Sequence, residues 1–551
     1  MRDAPSPPPT DRPTGLRALG PTTIGLALFA LFAWPLLVVE LPPYQDVPGH
    51  TAAVHILRHL ATFPDFKATT FFKTNALYFD LGVAFSALPI KVYAKGFVAL
   101  ILFLNGQAIP RFVERFAGRE AMLRNVPLYA PFVHHWFVSM GMLNYCIALP
   151  LSLFLVLAIF PKGAEIPKKP NGSEPLRDVG VALLTGVTWL AHSFPLFEVA
   201  GLACLYVFFS PDAAVRKVRL RRAAVPTVVT VLLSGLSFAM QAGLPKEPGT
   251  RTDIIYDPVP DLIAHLFTRA PFGGTAFTYP GLFLAIGALV LVVASASSLA
   301  VAAPEGRFRR LWGTAIGLNL IGYFAIPAAA GSLAHIEVRI VPYLWLFLLA
   351  CAPPLPRRAR IAAALGLIAL AIGHPLEIFR LSEDVQHLAA ARPLVPQGAR
   401  LLPLVFASKG RSQNTRPLNS ASALYILDRD VLPHDVWTHN ASMPLVRTVA
   451  RPLRFDRETL SRFLDAHGSQ DAFCAEATRR FGEPAEGASA RCRLRFDEDW
   501  RDLWQAIDAR YSHVLLVAPS ADAKSRIPTN WGVRFEEHGI VLLEKRVSSD
   551  L

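Results

Sequence analysis

The chain has 551 residues, 52% of them apolar but only 18% charged, with a net charge of +13. An average soluble domain carries about 25% charge, and a mean hydropathy of +0.35 excludes an ordinary soluble enzyme. The excess positive charge does not point to nucleic acid, because much of it sits in short loops between apolar blocks: Arg216, Lys217, Arg219, Arg221 and Arg222; Arg307, Arg309 and Arg310; Arg357, Arg358 and Arg360. Basic loops of that kind stay on the cytoplasmic side of a membrane.

Residues 1–19, basic and rich in proline, read as a disordered cytoplasmic tail. Residues 20–378 are mostly apolar blocks of membrane-spanning length, and 379–551 read as a soluble domain outside the cytoplasm. The first block, Gly25 to Leu41, is longer than the core of a cleaved signal peptide and is read as a retained anchor.

The block leads directly into Pro42-Pro43-Tyr44-Gln45-Asp46-Val47-Pro48-Gly49-His50. An acid at the boundary of membrane and water can work as a general base in a half-dry pocket, with an imidazole four residues on. The bland alternative is a solvated loop with an incidental Asp. Beyond it, Val54, Leu57 and Leu60 mark one face of a short amphipathic helix on the membrane surface, with His55 and His59 as lid residues. The first external loop is placed at 42–73.

From Asn75 to Val113 the pattern fits either one span and a surface helix or two spans, since Lys91 and Lys95 interrupt it. Arg111, Arg115, Arg119 and Arg124 mark a cytoplasmic end, which favours one crossing. Shorter blocks follow near Leu128–Met140, Tyr145–Phe160, Val179–Leu190 and Leu196–Phe209, interrupted or bounded by Pro150 and Pro195. The adjacent His134 and His135 point to different helix faces and are no chelating pair. Gly141 and Asn144 suit a close helix crossing or a break in a helix. Later spans are expected at Val225–Gly243, Tyr279–Val301, Leu311–Ala330, Val338–Leu355 and Ile361–Ile378, with a polar external loop from Leu244 to Gly273. The sum is about 11 spans, within a range of 10–12, with the N-terminus inside and the C-terminus outside.

Two further polar points lie at external membrane edges: His192, where a helix ends before Pro195, and Arg339 in His335-Ile-Glu337-Val-Arg339. An Arg at that depth must pair, snorkel or contact a phosphate. Glu337 is the pairing alternative, and a bidentate guanidinium–phosphate contact the functional one. Cys146, Cys204 and Cys351 fall in apolar blocks. Cys474 and Cys492, the thiols of the polar domain, could form a disulfide in an oxidising compartment. Short apolar runs alternating with helix-like stretches make that domain α/β or α+β. No nucleotide-binding loop, GxSxG or HExxH motif occurs.

The order of a first apolar block, an external acid, many further blocks and a polar C-terminal domain resembles the GT-C superfamily of integral-membrane glycosyltransferases. So do the stretches GMLNYCIALPLSLF (141–154), VPQGARLLPLVF (395–406), YSHVLLV (511–517) and GIVLLEKR (539–546). The resemblance implies a polytopic α-helical membrane protein of the cell envelope that takes a sugar from a polyprenyl-phosphate donor. It passes the sugar, with inversion, to a glycan, lipid or protein acceptor on the external face. Asp46 matches the catalytic base, with His50 in support. Arg339, His192, His335, Gln45 and Tyr44 are the candidates for donor phosphate or substrate. Several related families carry an acidic pair where this chain has a lone Asp, so a divalent cation is left open. The competing readings are a transporter or flippase of lipid-linked material, which should show internal repeats, and a catalytically silent membrane scaffold.

Overall fold

Long apolar runs with few Gly or Pro breaks form helices here because a helix satisfies its own backbone polar groups. The computed structural model describes residues 19–160, 174–241, 254–269, 306–330, 333–412, 415–433, 444–447, 464, 468–481 and 485–546. The helices are α1 (Pro21–Ala33), α2 (Val47–Arg58), α3 (Leu77–Ala84), α4 (Ile90–Ala117), α5 (Arg119–Arg124), α6 (Val126–Tyr129), α7 (Trp136–Met140), α8 (Leu143–Ile159), α9 (Glu174–Ala191), α10 (Phe194–Phe208), α11 (Ala213–Gln241) and α12 (Val259–Thr268), followed by α13 (Gly306–Ala325), α14 (Val341–Cys351) and α15 (Arg357–Ala389). Among the described residues three stretches, Ile90–Ala117, Ala213–Met240 and Arg357–Leu394, are long and apolar enough to cross a membrane.

The segment from 75 to 113 resolves into the short α3 and the long α4. Arg58 at the end of α2 donates to the carbonyls of Gly82, Phe85 and Leu88 and so occupies the open C-terminus of α3. Helices α1 and α4 touch at Gly25 and Gly106; a Cβ on Gly106 would stand 2.7 Å from the Gly25 carbonyl oxygen. Small residues there let the two backbones meet.

The block expected as a span at Leu128–Met140 is not one helix. Pro127 and Pro131 break it into α6, a 3-10 turn (Ala130–Phe132) and α7. Asn125 bonds Pro353 and Leu355, just before Arg357, whereas Met140 meets the Asp46 loop. Pro150, expected as an interruption, sits inside a continuous α8. The span expected at Tyr279–Val301 lies outside the described residues, and the expected polar loop before it contains α12.

Helix α2 was expected to be amphipathic, with its apolar side marked by Val54, Leu57 and Leu60. Instead Val47, Thr51, Ala52, Ala53, Val54, Ile56 and Leu57 are all buried. The reason is a cover: the C-terminal helix Ala423–Arg429 packs on α2, and His55 Nε2 meets Asp430 Oδ1 at 2.8 Å. An ionic cluster clamps the same edge. Lys91 contacts Glu40 at 2.7 Å and Asp428 at 2.6 Å, and Arg392 pairs with the same two carboxylates.

The boundary placed at 378/379 falls inside α15, which runs unbroken through Pro375. Beyond it lies a five-stranded sheet. Numbering strands along the chain, β1 is Phe66–Ala68, β2 Ile254–Ile255, β3 Ala329–Ala330, β4 Leu333–Ala334, β5 Arg400–Val405, β6 Leu432–Pro433, β7 Leu445–Arg447, β8 His513–Val517, β9 Trp531–Glu537 and β10 Ile540–Lys545. The order is β6-β5-β8-β10-β9, parallel across β6-β5-β8 and antiparallel across β8-β10-β9. Side chains alternate between its faces. Leu401, Leu515, Val517 and Leu542 join the core of the helical body. Leu402, Leu404, Val514, Leu516 and Leu543 face a second core with Phe496, Trp500 and Trp504. Cys474 and Cys492 form a disulfide beside that second core, their Cα atoms 5.8 Å apart.

Candidate functional site

The loop after α1 is pinned by main-chain bonds before any side chain is considered. Gln45 N donates to Ser139 O at 3.0 Å and Asp46 N to Met140 O at 3.1 Å. This docking needs Gly141, which has φ +76; a Cβ there would lie 2.8 Å from the nitrogens of both Asp46 and Val47. Asn144 holds the next segment, accepting from Tyr78 N and donating to Asn75 O, each at 2.8 Å. One loop and the turn between α7 and α8 thus fix the start of α2.

Asp46 occupies the N-cap of α2, but its carboxylate makes no capping bond. It is 9% exposed, and its side-chain partner is Gln45 Nε2 at 3.5 Å, the long end of hydrogen bonding. Burial pushes its carboxyl up to about 7, against a smaller opposing pull from Gln45. A carboxyl in that range exchanges protons near neutral pH, as a general base requires. Gln45 also accepts from Arg416 N at 2.8 Å and so couples Asp46 to the C-terminal segment.

His50 shares the first turns of α2 with Asp46, but the two side chains are not hydrogen-bonded to each other. The bond between them is from His50 N to Asp46 O, 2.9 Å. The His50 ring lies 5.7 Å from Phe79 and 6.3 Å from Tyr78, and burial lowers its pKa to about 4. It is a neutral ring in an aromatic setting, with its Nδ1 unpartnered. Tyr44 is committed elsewhere, because its hydroxyl meets His134 Nε2 at 2.9 Å within a buried group that includes His374. That bond ties the loop to the His134 group.

His192 and Arg339 come together around Tyr145. The Tyr145 hydroxyl donates to Arg339 O at 2.7 Å, and its ring stands 5.6 Å from His192. Phe194 N donates to His192 Nδ1 at 3.1 Å, which leaves the proton on Nε2. Burial first, and then the Arg339 charge, hold that imidazole neutral. Arg339 forms no ion pair with Glu337; it donates from Nη2 to Ala334 O at 3.1 Å and keeps Nε unpartnered. The pairing alternative is therefore not the arrangement found.

His335 faces Trp136, ring centroids 5.3 Å apart, and its Nδ1 accepts from Arg269 Nη1 at 3.1 Å. Arg269 lies over the Trp136 ring at 5.2 Å. Since Trp136 opens α7 and Met140 closes it against Asp46, the His335 group and the acid sit at opposite ends of one short helix.

The reading of the sequence missed Tyr145, Trp136, Arg269 and Lys73. Lys73 is fully buried in the same loop, its Nζ 3.3 Å from Thr69 Oγ1. Burial pulls its ammonium down to about 8, against the attraction of Asp80. Next to it, Thr74 Oγ1 accepts from Ser193 N and Ala76 N donates to Leu190 O, which joins this segment to the end of α9 beside His192. A lone Lys among aromatics in FFKTNALYF was the available signal.

Among the described residues Asp46 belongs to no cluster of three metal-ligating side chains; the cluster that exists is Asp257, His265 and Glu337. No protein-family model matches the chain, and no curated protein matches it in sequence. Among solved structures the chain is similar to ArnT from Cupriavidus metallidurans bound to undecaprenyl phosphate, at 12% identity and a TM-score of 0.46 over 96% of this chain and 98% of that one. It is similar also to the apo state of the same protein, at 12% identity and a TM-score of 0.45 over 94% and 96%.

Proposed function

We propose that the chain is a membrane glycosyltransferase that uses a polyprenyl-phosphate-linked sugar on the external face, with Asp46 as general base. The observation that carries this reading is the buried, upward-shifted carboxyl of Asp46, held in place by main-chain bonds to α7. In the reaction the Asp46 carboxylate takes the proton of an acceptor hydroxyl. The acceptor oxygen forms a bond to the anomeric carbon as the bond from that carbon to the phosphate oxygen breaks, and polyprenyl phosphate leaves with the electron pair. General-base assistance of this kind contributes roughly 10²–10⁴-fold.

Arg339 and the Nε2–H of His192 are the groups suited to the charge that develops on the departing phosphate, one as a cation and one as a neutral donor. Gln45 and His50 are positioning residues. The C-terminal segment covers α2 and contacts Gln45 through Arg416, so acceptor recognition is assigned to that side.

Release of polyprenyl phosphate from a polyprenyl-phosphate hexose or pentose, by protein in its own membranes, tests the reading. Wild type should release it and Asp46→Asn should not. Wild type that leaves both donor types intact, in membranes containing the cell-envelope acceptors, would remove the proposal.

A further inference from the structure

We propose that Asp257, His265 and Glu337 form a binding site for a divalent transition-metal cation of the zinc class. Three separate elements bring these residues together. Asp257 follows β2, which pairs with β3 in the register Ile255↔Ala329. His265 lies on α12, which is tied down by Tyr323 donating to Leu262 O at 2.7 Å and Trp345 donating to Leu266 O at 3.2 Å. Glu337 opens the 3-10 turn Glu337–Ile340, reached from β4 through His335 in a left-handed conformation at φ 57. One ligand atom from each residue lies within 4.8 Å of the other two.

The second observation is the state of Glu337. Its side chain is fully buried, and neither carboxylate oxygen has a hydrogen-bond partner. A buried carboxylate left unpaired is unfavourable, and it is relieved by taking up a proton or by coordinating a cation. Arg269 attracts this carboxylate electrostatically but makes no hydrogen bond to it, its guanidinium donating to His335 Nδ1 and lying over the Trp136 face. His265 Nδ1 has no hydrogen bond either and stands 3.5 Å from Asp257 Oδ2. Ligand atoms about 2.0–2.1 Å from a tetrahedral zinc are roughly 3.4 Å from each other, so this edge of the site is already at the required length.

The donor set selects the metal. One imidazole nitrogen and two carboxylates make three protein ligands with a fourth position open, the pattern of accessible zinc sites. Calcium needs six to eight oxygens, and magnesium keeps most of its waters and avoids imidazole. Neither suits a three-ligand cluster containing histidine. The inference concerns binding only and does not depend on the transferase reading.

The test uses the full-length protein, purified in detergent with a tag free of histidine and stripped by a chelator. Titration calorimetry should give one Zn²⁺ per chain, with Mg²⁺ and Ca²⁺ bound far more weakly. Co²⁺ in place of Zn²⁺ should give the visible absorption of a four-coordinate site. Glu337→Gln and Asp257→Asn should each weaken Zn²⁺ binding by about a hundredfold or more, since even partners one shell further out are worth 10–100-fold. Asp261→Asn, a neighbouring acid outside the cluster, should leave it unchanged. A wild type that binds no stoichiometric Zn²⁺, or that binds Mg²⁺ as tightly, overturns the proposal. So does unchanged affinity in a Glu337→Gln protein that elutes like wild type, because the metal would then sit elsewhere. If both ligand variants misfold, the Co²⁺ spectrum of wild type decides alone: a six-coordinate spectrum overturns the site.

Discussion

Replacing Asp46 by Asn should abolish transfer and at the same time make the protein more stable. The carboxyl ionises near 7 in the fold against an ordinary value of 3.8. The native state therefore holds this proton more tightly than the unfolded chain does. The associated stability is complete below about pH 3.8 and is lost as the pH rises through 7. Each pKa unit corresponds to about 1.4 kcal/mol, so roughly three units amount to about 4 kcal/mol at alkaline pH. The positive N-terminal end of α2 offsets about 1 kcal/mol of that, leaving about 3 kcal/mol. With an unfolding entropy of about 2 cal/mol/K per residue over 551 residues, Tm should rise by about 2–3 °C at pH 8. The amide keeps size and hydrogen-bonding capacity but carries no charge. Thermal unfolding in detergent, followed by tryptophan fluorescence from pH 4 to 8, should show the two proteins converging at the acid end. In wild type the rate of transfer should fall as pH drops below about 7. An Asp46→Asn protein that is folded, inactive and no more stable than wild type at pH 8 would refute the burial argument. One that keeps its activity would refute the role as base.

Gly141→Ala should lose most activity and about 1–3 kcal/mol of stability, because the new Cβ enters the bond between the Asp46 loop and α7 and the backbone there is left-handed; activity and Tm measured together check this. Arg339→Lys should raise KM for the donor by about tenfold or more with a smaller change in kcat, as an ammonium cannot reproduce planar phosphate contacts; steady-state kinetics with varied donor separate the two. Removing the Cys474–Cys492 disulfide, which closes a loop of 18 residues, should lower stability by about 3 kcal/mol. It should leave the pH profile of transfer unchanged, which a comparison with and without reductant reads directly.

Helix positions were legible wherever an apolar run decided them alone, as for α9 and α10. They were not legible at 126–140, where Pro127 and Pro131 break the helix and the surrounding bundle must satisfy the freed backbone groups. Helix α2 looked amphipathic because its cover is supplied by residues 423–430, nearly 370 positions away. In the candidate site, an acid just after the first apolar block could be read from position. Its burial could not, since that depends on the turn at Gly141 meeting the loop from a distant part of the chain. Gly141 was legible as a break in a helix, and it is the break between α7 and α8. Tyr44 and Arg339 show the same limit from two sides: Glu337, the pairing alternative for Arg339, is close in sequence yet forms no ion pair with it, and the partner of Tyr44 is a histidine 90 residues on.

Helix α15 carries a consequence for how the cover over α2 is held. At 33 residues and 1.5 Å per residue it is about 50 Å long, whereas a bilayer core is about 30 Å thick. On the membrane reading, about 20 Å of rigid rod stands clear of the lipid and bears the five-stranded sheet at its tip. That far half is not free, since Ile378, Leu381, Val385 and Leu388 on it are buried in the protein. The same C-terminal segment reaches Gln45 through Arg416 and α2 through Asp430. The cover over α2 is therefore continuous in the chain with the helix that the membrane reading anchors in the lipid.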